Sequence, residues 1–98
     1  MKIRLIVPNC NRGTSPLVAY GRTIAEIAGG FTASQATGGW KDDRGDLIVE
    51  PVTVFDCNVE PDGEVCTKFY NLAKRIAHEL HQTCVFLEID GIVQYVRP

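Results

Sequence analysis

The sequence predicts one small α+β domain in which two helices cover one face of an antiparallel sheet. Three observations lead to this fold class. The 98 residues are the length of a single domain, spanning 1–98. Short apolar runs rich in valine and isoleucine alternate as strands do, and two longer segments repeat apolar residues at helical spacing. These segments follow one another as β-α-β-β-α-β, with one short strand added at the end.

The first part of the chain predicts a strand and a helix. Alternating apolar residues over 3–7 are typical of a strand, and a polar loop over 9–14 follows. Ser15 is a suitable helix cap and proline follows it in the first turn, while Gly29 ends the helix because glycine readily turns left-handed. Gly21 falls on the apolar side of this helix, which indicates close packing against a sheet.

The next part, from Gly29 to Val59, predicts a β-hairpin around a polar turn that contains Gly45. Its first strand covers about residues 31–37 and extends towards Trp40, and its second covers about residues 47–59. Both faces of the second strand are largely apolar, which is typical of a sheet covered on both sides.

The last part predicts a second helix and two strands. Asp62 is a suitable cap for this helix, whose apolar stripe runs to about residue 80. A strand over 84–89, a tight turn and a strand over 92–96 complete the chain. The order of elements is the split β-α-β, ferredoxin-like arrangement with a short C-terminal strand.

A ferredoxin-like sheet carries its helices on one face and leaves the other bare. In this sequence the bare face would present Ile48, Val52 and Val54, which form an apolar patch. Such a patch on a soluble protein marks an interface. We therefore expect a homodimer in which these three residues lie at the interface.

The composition excludes several classes of function. The net charge of −2, with no basic stripe, argues against nucleic acid as a partner. No apolar run reaches the length of a membrane span, and the N-terminal apolar run is too short for a signal peptide. We therefore expect a cytoplasmic protein whose four cysteines are free thiols.

The hairpin carries the residues that point to a ligand or partner site. Glu50 is a carboxylate within an apolar strand and Trp40 is the only tryptophan. Together they would orient a small ligand, or Glu50 would act as a general base if partly desolvated. Thr32, Gly39 and Lys41 complete the predicted site. A purely structural arrangement, in which Trp40 packs at the hairpin and Glu50 pairs with Lys41 or an arginine, is the alternative.

Other chemistry-bearing residues form no recognisable site. His78 and His81 are spaced three apart on the second helix, with Cys84 after them, but the cysteines and histidines match no compact zinc pattern. Nothing in the sequence places Cys10 beside a histidine, and no nucleophile elbow, P-loop or dinucleotide motif occurs. The sequence therefore predicts no metal, no cofactor and no catalytic constellation.

The hairpin also resembles a diffuse group of short uncharacterised proteins from phages, plasmids and bacterial genomes. The matching residues lie within about residues 20–56 and are Gly29, Gly30, Thr32, Gly39, Trp40, Gly45 and Glu50. The resemblance implies the fold and a mobile-element origin, and it implies no reaction. By analogy, small phage proteins often antagonise host defence, as anti-CRISPR proteins do.

Two functions from different classes follow. The first is a non-enzymatic binding protein of phage or mobile-element origin, a homodimer that occupies a protein partner, as a host-defence antagonist does, or holds a small ligand. The second is a small cofactor-independent enzyme, in which Glu50 is the general base and Trp40 and Thr32 shape the pocket. The absence of a catalytic constellation favours the first.

Overall fold

The computed structural model describes residues 1–10 and 14–98, so part of the predicted loop over 9–14 lies outside the described residues. The elements are β1 (Lys2–Pro8), α1 (Pro16–Ala28), β2 (Thr32–Lys41), β3 (Leu47–Asn58), α2 (Gly63–Glu79), β4 (Val85–Ile89) and β5 (Ile92–Val96). They form one antiparallel sheet in the order β2-β3-β1-β4-β5. The predicted α+β, ferredoxin-like fold is confirmed, and β5 adds a strand beside β4.

The hydrophobic core lies between the sheet and both helices. The inward side chains of β1, Ile3, Leu5 and Val7, are almost fully buried and contribute to one cluster with Phe55 of β3 and Phe69 of α2. Because side chains alternate along a strand, every second residue of the sheet enters this core and the others lie on the opposite face. We call the face that carries the helices the inner face and the opposite one the outer face.

The ends of α1 follow the sequence prediction. The Ser15 hydroxyl accepts a hydrogen bond from the Val18 N–H at 3.3 Å, and Gly29 closes the helix with a φ of 85°. Gly21 is buried, and a Cβ on it would lie 3.3 Å from the ring of Phe31. The predicted close packing at Gly21 is therefore present, because a larger residue would push the helix away from Phe31.

The hairpin formed by β2 and β3 is longer than the strand that supports it. The pairs between β1 and β3 stop at Pro8 and Val52, while β2 and β3 remain paired as far as Lys41 and Leu47. We call residues 37–51 the arm. In the part of the chain that the structure describes, the arm is paired only within itself, apart from the Asn9 N–H, which donates to the Pro51 carbonyl at 2.9 Å.

The outer face is less apolar than predicted. Val52 and Val54 are only 6% and 9% exposed, and Ile48 is half-buried. The two valines lie on a central strand, where Pro8 and Ile6 of β1 flank them on one side. Neighbouring side chains within one chain therefore bury most of the patch from which the homodimer was inferred, and that homodimer stays a prediction.

A polar contact joins the two helices above the core. The Tyr20 hydroxyl of α1 donates to the Glu79 carboxylate of α2 at 2.9 Å, and the guanidinium of Arg75 lies 5.9 Å from the centre of the Tyr20 ring. Burial, followed by the hydrogen bond to Glu79, raises the pKa of Tyr20 to about 12 from an ordinary 10.0. The protonated phenol is thus part of the folded structure.

We expect the stability of the protein to fall at alkaline pH through Tyr20. The unfolded phenol ionises near pH 10, whereas the folded one keeps its proton until about 12. Its contribution is therefore complete below about pH 10 and is lost as the pH rises from 10 towards 12. Urea denaturation across this pH window should show that the free energy of unfolding declines less in Tyr20→Phe than in the wild type.

Tyr70→Phe is the matched control, because Tyr70 is on α2 and 42% exposed. It removes one phenol from the surface, and its free energy of unfolding should decline with pH as that of the wild type does. An equal decline in the wild type and Tyr20→Phe would contradict the assignment.

Candidate functional site

The outer face of the arm brings together two of the residues that the sequence selected. Gly38 pairs directly with Glu50, and Trp40 pairs with Ile48, so the indole and the carboxylate are diagonal neighbours on one face. Diagonal positions on adjacent strands are about 7–8 Å apart, within reach of one ligand. Trp40 is 53% exposed, while Glu50 is half-buried.

Gly38 lies directly opposite Glu50 and carries no side chain. A Cβ at this position would lie 3.1 Å from Cγ1 of Val52, which is closer than side chains ordinarily approach. Glycine therefore accommodates the Val52 side chain, which reaches the position that a larger residue here would occupy. We call this part of the outer face, made of Gly38, Trp40 and Glu50, the slot.

The other predicted site residues lie elsewhere. Thr32 is on the outer face but pairs with Asp56, and eight residues of strand, about 26 Å at roughly 3.3 Å per residue, separate it from Trp40. Gly39 and Lys41 have the opposite parity and lie on the inner face. A Cβ on Gly39 would lie 3.7 Å from Cδ1 of Leu47 on that side.

The structural alternative pairs Glu50 with Lys41, Arg44 or another basic residue. The ion pairs of the described residues do not include one between Glu50 and Lys41 or Arg44. The backbone N–H of Arg44 instead donates to the Asp42 carboxylate in the turn at 2.9 Å. The Glu50 carboxylate is therefore not held by either cation of the arm.

A charged groove at the other end of the outer face was missed by sequence reasoning. It has a volume of about 480 Å³, and its lining includes Lys2, Arg4, Asp56, Glu88 and Asp90. Two hydrogen bonds at 2.8 and 3.2 Å join the guanidinium of Arg4 to Asp56 and raise the pKa of the arginine. The groove unites residues from both ends of the chain, so only the strand register could have shown it.

The histidines and cysteines do not form a site. His78 and His81 are exposed, and among residues 1–10 and 14–98 no group of three or more histidine, cysteine or acidic side chains is arranged for a metal ion. Cys57 lies in the core, where burial raises the pKa of its thiol to about 11, so it stays protonated and unreactive.

The length and hydropathy of the two helices can be compared with those of a membrane span. Neither α1 nor α2, the two helices of the described residues, is long and apolar enough to cross a bilayer.

Comparison with known proteins finds likeness in structure only. No family model matches the chain, and no curated protein matches it. A solved structure of a phage SAM lyase in complex with S-methyl-5'-thioadenosine is similar over 95% of this chain and 83% of that one, with 22% identity and a TM-score of 0.61. A solved structure of a phage SAM lyase in the apo state is similar over 95% of this chain and 82% of that one, with 19% identity and a TM-score of 0.61.

These likenesses correct the first functional prediction. Two solved structures that share this fold over nearly the whole chain are those of an enzyme, so the predicted non-enzymatic function is wrong, whereas the host-defence role and the protein partner stay predictions. The enzyme alternative fits better. One of those two structures holds a small thioether nucleoside.

Proposed function

We propose that this protein is an enzyme that cleaves a carbon–sulfur bond of S-adenosylmethionine (SAM), with its site in the slot beside Trp40 and Glu50. One observation carries the proposal: an exposed indole and a half-buried carboxylate lie diagonally beside Gly38 on one face of the arm. The likeness to a phage SAM lyase supports the choice of substrate.

The substrate and the slot are chemically complementary. The adenine ring of SAM needs a flat apolar surface, and stacking of a base on an aromatic side chain contributes about 1–3 kcal/mol. Trp40 offers that surface. The methionyl end carries an ammonium group, which a carboxylate binds through charge-assisted hydrogen bonds. Glu50 offers that carboxylate, and no side chain projects between them from Gly38.

The bond that breaks joins the sulfonium sulfur to Cγ of the methionyl chain. An oxygen of the substrate's own carboxylate forms a bond to Cγ, the C–S bond breaks, and its electron pair stays on sulfur. The products are S-methyl-5'-thioadenosine and homoserine lactone, and atoms and charge balance without water or a proton. Folding the methionyl chain so that the two atoms meet supplies the rate, since intramolecular attack reaches effective molarities of about 10⁵–10⁸ M.

This reaction assigns Glu50 a positioning role in place of the general base expected from the sequence. A base would have to remove a proton from Cβ, which no carbonyl or other acidifying group adjoins. A carboxylate is a weak base for such a proton. By binding the ammonium group, Glu50 instead holds the methionyl chain folded.

The biological setting is part of the same proposal. A phage or mobile-element origin, and with it a place in the host cytoplasm, is supported by the phage proteins of similar fold.

A homodimer is supported by two apolar side chains of the arm, since Leu47 is 72% exposed and Val49 is 57% exposed. Light scattering after gel filtration should show twice the mass of one chain, and a monomer would contradict the homodimer without affecting the active-site proposal.

Glu50→Gln tests the carboxylate. The variant keeps the size of the side chain and removes its charge, so kcat/KM for SAM should fall about 10- to 150-fold, the effect of losing a charge-assisted hydrogen bond worth roughly 1.5–3 kcal/mol. The measurement is chromatographic release of S-methyl-5'-thioadenosine, corrected for spontaneous breakdown of SAM. Alkaline treatment of the second product should yield homoserine, as a lactone does and an unsaturated acid does not.

Glu88→Gln is the matched control, because Glu88 is also a half-buried acid of the outer face but lies in the charged groove. It should keep wild-type turnover. Loss of activity in Glu88→Gln with full activity in Glu50→Gln would place the reaction in the groove and overturn the proposed site.

Gly38→Ala tests the slot. Its methyl group would occupy the space between Trp40 and Glu50 and press on Val52 at 3.1 Å. We expect KM for SAM to rise about tenfold or more, because a misfit of one methyl group in a binding site costs roughly 1–3 kcal/mol.

Gly39→Ala is the control for Gly38→Ala, since its methyl group points to the inner face and meets Leu47 at an ordinary 3.7 Å. Unchanged KM in Gly38→Ala, or an equal rise in both variants, would show that the outer slot does not bind SAM.

A further inference from the structure

Three polar side chains form a closed ring of hydrogen bonds where the arm leaves the sheet. The Asn9 amide donates to Oε1 of Gln35 at 2.7 Å, and the Gln35 amide donates to Oγ1 of Thr53 at 3.0 Å. The Thr53 hydroxyl then donates to Oδ1 of Asn9 at 2.6 Å, which closes the ring. Each residue is at once a donor and an acceptor.

The ring lies on the inner face, at the last point of contact between β1 and the hairpin. Gln35 and Thr53 are a cross-strand pair of β2 and β3, and Asn9 directly follows β1. The backbone of Asn9 contacts the arm too, through the bond from its N–H to the Pro51 carbonyl. The Asn9 side chain therefore joins the end of β1 to both strands of the hairpin next to the arm, and its backbone joins β1 to the first residue pair of the arm.

Burial makes the ring sensitive to the loss of one member. Thr53 is 0% exposed, and the described residues have no buried polar side-chain atom without a hydrogen-bond partner. Removing the Thr53 hydroxyl would take the donor from Asn9 and the acceptor from Gln35 together. Gln35 is exposed and Asn9 is half-buried, so their freed groups can bind water instead, and what is lost is the direct link of both side chains to the buried Thr53.

We propose that the ring of Asn9, Gln35 and Thr53 is a positioning device that fixes the angle of the arm, and thereby of Trp40 and Glu50, against the sheet. Its catalytic part rests on the proposed function, but its structural part does not. The side chains of the ring lie on the inner face, whereas the slot lies on the outer face. The ring can therefore act on the substrate only through the backbone of the arm.

Thr53→Val is the first test, because valine has the shape of threonine and lacks the hydroxyl. Amide hydrogen exchange of residues 37–51 should become about tenfold faster or more, the factor expected when a buried hydrogen bond is lost. Exchange in β1 and β4 should stay at the wild-type rate. Fluorescence anisotropy of Trp40, the only tryptophan, should fall.

Thr37→Val is the matched control, since Thr37 is the next inner-face residue of β2 and its hydroxyl lies outside the ring. It should leave exchange and anisotropy unchanged. Thr53→Ser, which keeps a hydroxyl, should restore the wild-type values. Gln35→Met provides a second route if Thr53→Val fails to fold, because Gln35 is exposed and its replacement should loosen the arm in the same way.

The turnover of SAM distinguishes a role of the ring in positioning the arm from a role in the stability of the fold alone. A loosened arm should raise KM and lower kcat in Thr53→Val at temperatures where the variant is fully folded. An arm that exchanges at the wild-type rate in both Thr53→Val and Gln35→Met overturns the inference, and a loosened arm with unchanged turnover overturns its catalytic part. If the wild type does not cleave SAM, the proposed function fails and the exchange data alone decide whether the ring positions the arm.

Discussion

The candidate site depends on a difference in strand length. β1 has 7 residues and β3 has 12, so the sheet can pair β3 on both edges over only part of its length. Beyond Val52 the hairpin continues as an arm with β2 as its partner. Without this mismatch, Trp40 and Glu50 would lie within a continuous sheet, whereas in the structure they lie on a projection that a ligand can approach from its open side.

The alternation of side chains divides the functions of the arm between its two faces. The outer face carries the indole, the carboxylate and Gly38, whereas the inner face carries the polar ring at the root of the arm. A substitution on one face can therefore alter substrate contacts, and one on the other can alter the position of those contacts. Polar groups at the root suit this task, because hydrogen bonds fix direction while apolar contacts allow sliding.

Much of the fold was predictable from local patterns. Ser15, Gly29 and Asp62 mark helix boundaries through interactions with residues a few positions away, and the structure confirms each of them. Parity along β3 also placed Glu50, Val52 and Val54 correctly on the face opposite the core. It did not show that both valines are nearly buried, because burial depends on the neighbouring strand β1, which is distant in sequence.

The sequence by itself determined the order of the elements, their caps and the two faces of each strand, since these depend on spacing within a few residues. The tertiary structure decided which of the selected residues meet. It placed Trp40 and Glu50 as diagonal neighbours on one face and joined Asn9 to Thr53 across 44 positions. Strand register determines which residues meet, because a shift of one residue would exchange the side chains on the two faces of the arm.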